Sequence, residues 1–498
     1  SKAILQYIGY VFFCSYLYSR VEVKNATLHT NKMDRNLMQI NPLRGSKFAL
    51  TKRNLGWRSA ILLLATISYS ALSVAENRID TQRPDAPELA TYGTYDIGVK
   101  TLHLVNPKQI DMLQLDASKP KPSSLPTYDR PLTIEVWYPA SENATGETAL
   151  KAFIRDGKTQ VALHGKARRD ASPIEIDTPF PLVLVSHGYP GNRFLLSHLA
   201  ENIASKGYVV VSIDHTDSTY RTQAAFASTL VNRPVDQQFV LDKVAALSND
   251  VDSFLYKLVN ADNTALIGYS MGGYGALITA GASVTEMAVN SPQSAPFATL
   301  KRHQAGYHAP VDSRLKTVIA FAPWGMNYYM FSPETLSTVS VPMMLVAGSQ
   351  DDVSGYENGV RAIWQGMQNT ERALLTYENA NHNAGAVMPA PEESFYFNDA
   401  LGFNVSGHYI DAVWDNVRMN NIAQHFVTAW LGKYLKEDTS MQDYLNLVPH
   451  ANEGVWAMDE KGMAKDSHTY WKGFQKRTAK GLSFEYLAPY FLSHAITP

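Results

Sequence analysis

The hexapeptide Gly268-Tyr269-Ser270-Met271-Gly272-Gly273 constrains this chain more than any other stretch. It follows directly on Thr264–Gly268, a short apolar run with strand character, and opens an Ala-rich run with helical character. A serine in that place has to turn the chain sharply from strand to helix. Small residues on both sides let the backbone bend and pack there. The turn exposes the hydroxyl, and the first N–H groups of the helix behind it can stabilise an oxyanion. Ser270 is therefore the candidate nucleophile. A bare G-x-S-x-G also occurs in ordinary loops as a tight turn with an inert serine, so its weight comes from lying between strand and helix.

The surrounding pattern fits such a turn. Leu182–Ser186 is a continuous apolar run, as expected of a strand buried on both faces. Leu195, Leu199 and Ile203 recur at helical spacing, and Gly207 stands where that helix should stop. Tyr208–Ile213 is a further β-branched run, and Val240, Val244, Leu247, Val251 and Leu255 mark a second helix. Lys316–Phe321, Pro342–Ala347 and Ala373–Tyr377 supply three more strands, and Asp411 to Lys436 a long closing helix with Val413, Val417, Phe426 and Trp430 on its apolar face. Upstream, Thr101–Val105 and Leu132–Tyr138 are strand-like and are separated by a Pro/Ser/Lys-rich loop from Lys119 to Pro131. Strands alternating with helices predict an α/β fold, with a mainly parallel central sheet covered on both faces. The polar span from Ala282 to Ser313 interrupts this pattern and is a candidate lid. The expected organisation is a leader over 1–75, a catalytic domain over 76–436 and a C-terminal extension packed on it over 437–498.

Chain order then selects the partners of Ser270, because this architecture places nucleophile, acid and base in the order Ser, Asp, His. Asp351 and Asp352 lie just past a buried strand; Asp351 is the preferred acid by loop position, with Asp352 as the alternative and the other of the pair left to face solvent or cap a helix. His382 follows in Asn379-Ala380-Asn381-His382-Asn383, a small, polar loop from which an imidazole can reach the serine. His408 and His425 come later and are read as structural or exposed. Ser186-His187-Gly188-Tyr189 ends an earlier strand, and the backbone N–H groups of Tyr189 and Met271 are the expected oxyanion donors. His187 precedes the nucleophile and is read as a structural, hydrogen-bonded histidine.

Composition narrows the partners. A formal net charge of −2 leaves no basic stripe for phosphate backbones, so nucleic acid is not expected. No H-E-x-x-H, Cys-x-x-Cys pair or phosphate loop occurs, so neither metal nor cofactor is expected. Cys14 is the only cysteine, which rules out an intramolecular disulfide. Lys47, Lys52, Arg53 and Arg58 precede an apolar run from Ala60 to Ala71 and then Ser73-Val74-Ala75, the layout of a bacterial secretory signal with its cleavage site. The competing reading is an uncleaved anchor, for which the run is short and which would be the chain's one membrane contact. Met33 or Met38 is a natural start for such a leader, and the apolar residues 4–18 upstream are set aside. A polar stretch with Pro84 and Pro87 reads as a linker.

From about Thr91 to Lys436 the chain resembles the dienelactone hydrolase and platelet-activating-factor acetylhydrolase-like branch of the α/β hydrolases. The resemblance rests on Thr133-Ile134-Glu135-Val136-Trp137-Tyr138-Pro139, the His187-Gly188 loop, Gly207-Tyr208-Val209-Val210 and the Gly268–Gly273 turn. Acetylhydrolases of that branch carry their acid directly after the strand equivalent to Val318–Phe321, where this chain has Ala322; the departure favours Asp351. The same stretch is similar to bacterial cutinases and polyester hydrolases through Gly188-Tyr189, Ser270-Met271-Gly272-Gly273 and Ala322-Pro323-Trp324, without their C-terminal disulfide. That resemblance implies that Tyr189 and Trp324 flank the scissile ester, against the plainer reading of Trp324 as a core residue. Three functions follow as expectations: a secreted serine carboxylic ester hydrolase acting through an acyl-enzyme, on small or polymeric esters; a phospholipid or acetyl-ester hydrolase; and a non-catalytic binding protein that keeps the fold.

Overall fold

Residues 76–115, 123–223, 226–290 and 310–489 are described by the computed structural model. Their buried strands carry apolar side chains to both faces. In Phe180–Ser186, Val183 and Val185 enter one core cluster while Leu182 and Leu184 enter another, the period-two alternation of a pleated strand. The sheet has ten strands. In chain order they are β1 (Ile97–Ile110), β2 (Thr127–Pro139), β3 (Arg168–Arg169), β4 (Phe180–Ser186), β5 (Val209–Asp214), β6 (Val259–Tyr269), β7 (Leu315–Phe321), β8 (Met343–Gly348), β9 (Arg372–Tyr377) and β10 (Leu482–Leu487).

Their spatial order is β10-β9-β8-β7-β6-β4-β5-β2-β1-β3. The run from β9 to β5 is parallel throughout, while β2 pairs antiparallel with β5 and β10 antiparallel with β9. Helices α1 (Ser197–Ala204) and α4 (Asn416–Leu435) cover one face, and α2 (Phe226–Leu247) and α3 (Met271–Thr279) the other. This is the α/β-hydrolase fold, with the mainly parallel sheet and two helical layers expected from the sequence. A separate three-stranded sheet is formed by Asn77–Arg78, Ala149–Phe153 and Gln160–His164.

Several expected boundaries move, each for a local reason. The closing helix starts at Asn416, because Asp415 caps it by accepting from the Arg418 N–H; Val413 lies before the cap and is exposed. Phe426 and Trp430 are buried as expected, and Met419 and Ile422 complete the buried face of that helix. The second helix ends at Leu247, so Val251 is exposed in a turn, and it begins as early as Phe226. The proline-rich loop is shorter than read, since Thr127–Pro131 already pair with β1. The polar linker is docked: Arg83 N–H donates to Asn421, Gln82 to Gln424 and Leu89 N–H to His425, all on α4. Downstream of α4, residues 437–489 add β10 to the sheet edge and bury Trp471 and Phe474. The leader reading, with Cys14, and residues 291–309 of the candidate lid lie outside the described residues. Among the described residues no helix is long and apolar enough to cross a membrane, and no cluster of three His, Cys, Asp or Glu side chains suits a metal ion.

One buried polar network ties the layers together. The Arg130 guanidinium on β2 clamps Asp236 of α2 with bonds of 2.8 and 2.9 Å and donates to Asp217 at 2.7 Å. Arg130 and Asp236 are both essentially inaccessible to solvent. Removing Arg130 leaves the buried Asp236 carboxylate with its His215 bond but without its guanidinium, which costs far more than the intact pair contributes. Arg130→Met is therefore expected to lower the unfolding free energy by about 3–5 kcal/mol. Urea denaturation measures this, and a loss below about 1 kcal/mol would contradict the network's role.

Candidate active site

The site sits at the carboxyl ends of the parallel strands, where side chains from separate loops converge. β6 ends at Tyr269, and Ser270 follows with φ 54° and ψ −112°, a backbone conformation that a non-glycine residue holds only under constraint. Three bonds supply that constraint: Ser270 N–H donates to Phe321 O, and its carbonyl accepts from Tyr274 N–H and Trp324 N–H. The flanking glycines are sterically required. A Cβ on Gly272 would lie 1.9 Å from Ser186 O, and one on Gly268 would lie 2.4 Å from Gly272 O. The turn therefore packs directly on the end of β4.

Acid and base come from neighbouring loops held to each other. After β8, Ser349 N–H donates to Tyr377 O and Gln350 N–H to Ala380 O. Asp352 N–H donates to the Asn381 side chain, and Asn381 N–H to Asp411. So held, His382 Nδ1 lies 3.0 Å from each Asp351 carboxylate oxygen, and its Nε2 lies 3.0 Å from Ser270 Oγ. An ionised carboxylate only accepts, so Nδ1 carries the proton and Nε2 is left to accept from the serine hydroxyl. The imidazole also lies against the Tyr269 ring, centroids 5.2 Å apart, and the Tyr269 hydroxyl donates to Asn383.

The two aspartates separate cleanly. Asp351 is buried and accepts the N–H groups of Val353 and Ser354 as well as the imidazole. Burial pushes its carboxyl upward, but His382 and those two N–H groups outweigh burial and hold it below its ordinary value. Asp352 is exposed, and its backbone, not its carboxylate, bonds the histidine loop.

The proposed donors flank the serine. Met271 is the first residue of α3, where N–H groups have no intrahelical acceptor. Tyr189 follows Gly188, whose Cα packs so closely that a Cβ there would lie 3.3 Å from Ser270 Cβ. His187 is fully buried; its Nδ1 bonds Gly188 O at 2.7 Å and its Nε2 accepts from His215 N–H. Burial and the nearby Arg233 charge push it well below the usual histidine range, so it is neutral. His408 bonds the Tyr220 hydroxyl, and His425 accepts from Leu89 N–H.

Tyr189 and Trp324 are linked by a third ring. Phe226 contacts both, T-shaped in each pair, with centroid distances of 5.1 Å to Tyr189 and 5.3 Å to Trp324. Trp324 is stacked on Tyr328 at 4.6 Å and is mostly buried. The result is a continuous aromatic wall, tied to the nucleophile turn by the Trp324 N–H bond to the Ser270 carbonyl. The sequence reading of this helix starts only at Val240, so Phe226, four residues before the buried Leu230, lies upstream of it.

Residues 171–311, which include Tyr189, Ser270 and Met271 but neither Asp351 nor His382, match the family described as PETase: PET hydrolase-like. Cutinase 2 of Thermobifida cellulosilytica is 25% identical over 280 residues, 56% of this chain and 77% of that protein. Cutinase cut1 of Thermobifida fusca is also 25% identical over 280 residues, and the chain spans 63% of its length. Platelet-activating factor acetylhydrolase of Cavia porcellus is 29% identical over 149 residues, 28% of this chain and 32% of that protein. Together with the fold, these similarities support a carboxylic ester hydrolase of the cutinase and polyester hydrolase kind.

Proposed function

We propose that this cutinase-like α/β hydrolase cleaves carboxylic esters through a Ser270–His382–Asp351 triad and an acyl-enzyme, outside the cytoplasm, with aromatic or polymeric esters as substrates. The observation that carries the proposal is the unbroken line from Ser270 Oγ to His382 Nε2 and from Nδ1 to Asp351, every step at 3.0 Å. As Ser270 Oγ attacks the carbonyl carbon, His382 Nε2 takes its proton, and Asp351 stabilises the imidazolium. The tetrahedral oxyanion is met by the N–H groups of Tyr189 and Met271. Collapse passes the His382 proton to the leaving alkoxide and leaves the acyl group on Ser270. Water, deprotonated by His382, then attacks the acyl carbon, and collapse releases the acid as His382 returns the proton to Ser270 Oγ. Export rests on the basic, apolar and small-residue pattern from Lys47 to Ala75.

The aromatic wall favours an aromatic acyl group over an acetylated phospholipid. A ring docked against Trp324 gains about 1 kcal/mol beyond its area burial, so Trp324→Ala is expected to lower kcat/KM for a benzoate ester roughly sixfold relative to an acetate ester. An equal loss on both esters would make Trp324 a packing residue only. A panel of p-nitrophenyl acetate, a benzoate ester, an aromatic polyester film and acetylated phospholipid tests the substrate class. Release of soluble aromatic acid from the film is expected; turnover of the phospholipid alone would overturn the assignment.

A further inference from the structure

Beneath the oxyanion loop lies a cation without a counter-ion of its own. Arg233, on α2, is 1% exposed. Its Nη1 donates to His187 O, and its Nη2 donates to Gly188 O at 2.9 Å and to Ser218 Oγ at 2.8 Å. Among the described residues no carboxylate pairs with it. Asp236, one turn away, is taken by Arg130 and by His215 Nδ1, and Asp217 by Arg130 and Ser228. A buried charge normally needs an opposite charge or a full set of bonds, yet Arg233 Nε has no partner. Burial draws Arg233 down to about 9, which leaves it protonated at neutral pH. The position is also closely fitted: a Cβ on Gly275 of α3 would lie 2.9 Å from Arg233 Cβ.

The consequence lies in the peptide unit that this cation holds. Gly188 O and Tyr189 N–H belong to one rigid amide, so whatever fixes the carbonyl fixes the direction of the N–H. Gly188 O accepts two bonds, from Arg233 Nη2 and from His187 Nδ1, and one of these donors is charged. Hydrogen bonds in series strengthen each other, so a bound carbonyl makes its amide N–H a better donor. The guanidinium also places a full positive charge behind the point where negative charge develops, in a site with little water to screen it.

We propose that Arg233 is a positioning residue of the reaction: by holding the Gly188 carbonyl from behind, it aims and polarises the Tyr189 N–H toward the transition-state oxyanion. The proposal rests on the assignment of Tyr189 N–H as an oxyanion donor. Losing one such donor lowers kcat by about 10²–10³-fold, and Arg233 acts on that donor through one intervening amide.

The test uses Arg233→Met and Arg233→Lys in the full chain, with p-nitrophenyl acetate as substrate and phenylboronic acid as a tetrahedral mimic. Arg233→Met is expected to lower kcat about 30-fold with KM within about twofold, and to weaken boronic acid binding by a factor similar to the loss in kcat. Arg233→Lys keeps the charge but reaches fewer carbonyls, so it should recover part of the rate. If the methionine variant does not fold, the lysine variant decides: a kcat loss of about fivefold at unchanged KM supports the role. In a folded variant, kcat within about twofold of the parent, or a kcat loss with unchanged boronic acid affinity, would overturn it. Ser270→Ala assayed alongside separates the two claims. If that variant stays active, the oxyanion assignment falls with the triad; if it is inactive while the Arg233 variants keep their kcat, only the role of Arg233 falls.

Discussion

Ser270→Ala is expected to lower kcat/KM on p-nitrophenyl acetate by about 10⁶-fold while leaving the melting temperature within a few degrees. The rate loss is large because, among the described residues, only Ser270 offers a hydroxyl bonded to His382 Nε2. Ser270 Oγ is the group hydrogen-bonded to it, and the backbone at Ser270 is bent to φ 54° by three main-chain bonds that the substitution retains. The small stability effect follows from the same geometry. Alanine removes one side-chain bond and no packing volume, so the turn survives without its nucleophile. Hydrolysis within tenfold of the parent would mean that the ester is cleaved elsewhere.

The second large effect separates two adjacent carboxylates. Asp351→Asn is expected to lower kcat by about 10⁴-fold, whereas Asp352→Asn stays within about twofold. An amide at 351 can offer its N–H to His382 Nδ1 and so favour the tautomer that carries its proton on Nε2, where it cannot accept from Ser270. Asp352 faces solvent and contributes only a backbone N–H to the histidine loop, which asparagine preserves. The pH dependence has a definite sign. The folded-state value of Asp351 lies below its ordinary one, so the stability it contributes is present above the usual carboxylate range and is lost as pH falls through the lowered value. Chemical denaturation of the parent and of Asp351→Asn across acid pH measures this, and the variant should show the weaker dependence. Equal rate losses at 351 and 352 would contradict the separation.

The parts of the site that depend on local chain geometry are legible in the sequence. A serine between glycines at a strand-to-helix turn leaves a local mark, and so does an aspartate or histidine just past a buried strand. The same holds for the parallel strands of the sheet, which are short apolar runs; Arg168–Arg169 and Leu482–Leu487 at its two edges carry no such mark. What escapes is whatever is buried without being apolar. The first half of α2 packs Ser228, Thr229, Asn232, Arg233 and Asp236 inside the molecule around the apolar Leu230 and Val231, so its apolar stripe is diluted and hydrophobic periodicity finds only the second half. Arg233 and Phe226 both lie in that unmarked half. The closing helix starts later than Asp411 for the converse reason: Val413 stands on the expected apolar face, but the Asp411 side chain turns the chain there by accepting the N–H groups of Val413 and Trp414. Val413 is then left in solvent.

Labelling with a fluorophosphonate, followed by peptide mass spectrometry, tests the central claim most directly. Such a reagent phosphonylates a serine only where a base activates the hydroxyl and an oxyanion site accepts the new oxygen. The expected result is one adduct per chain, on the peptide carrying Ser270, with ester hydrolysis lost in proportion and no labelling in the Ser270→Ala variant. An adduct on another residue, or undiminished hydrolysis after complete labelling of Ser270, would contradict it.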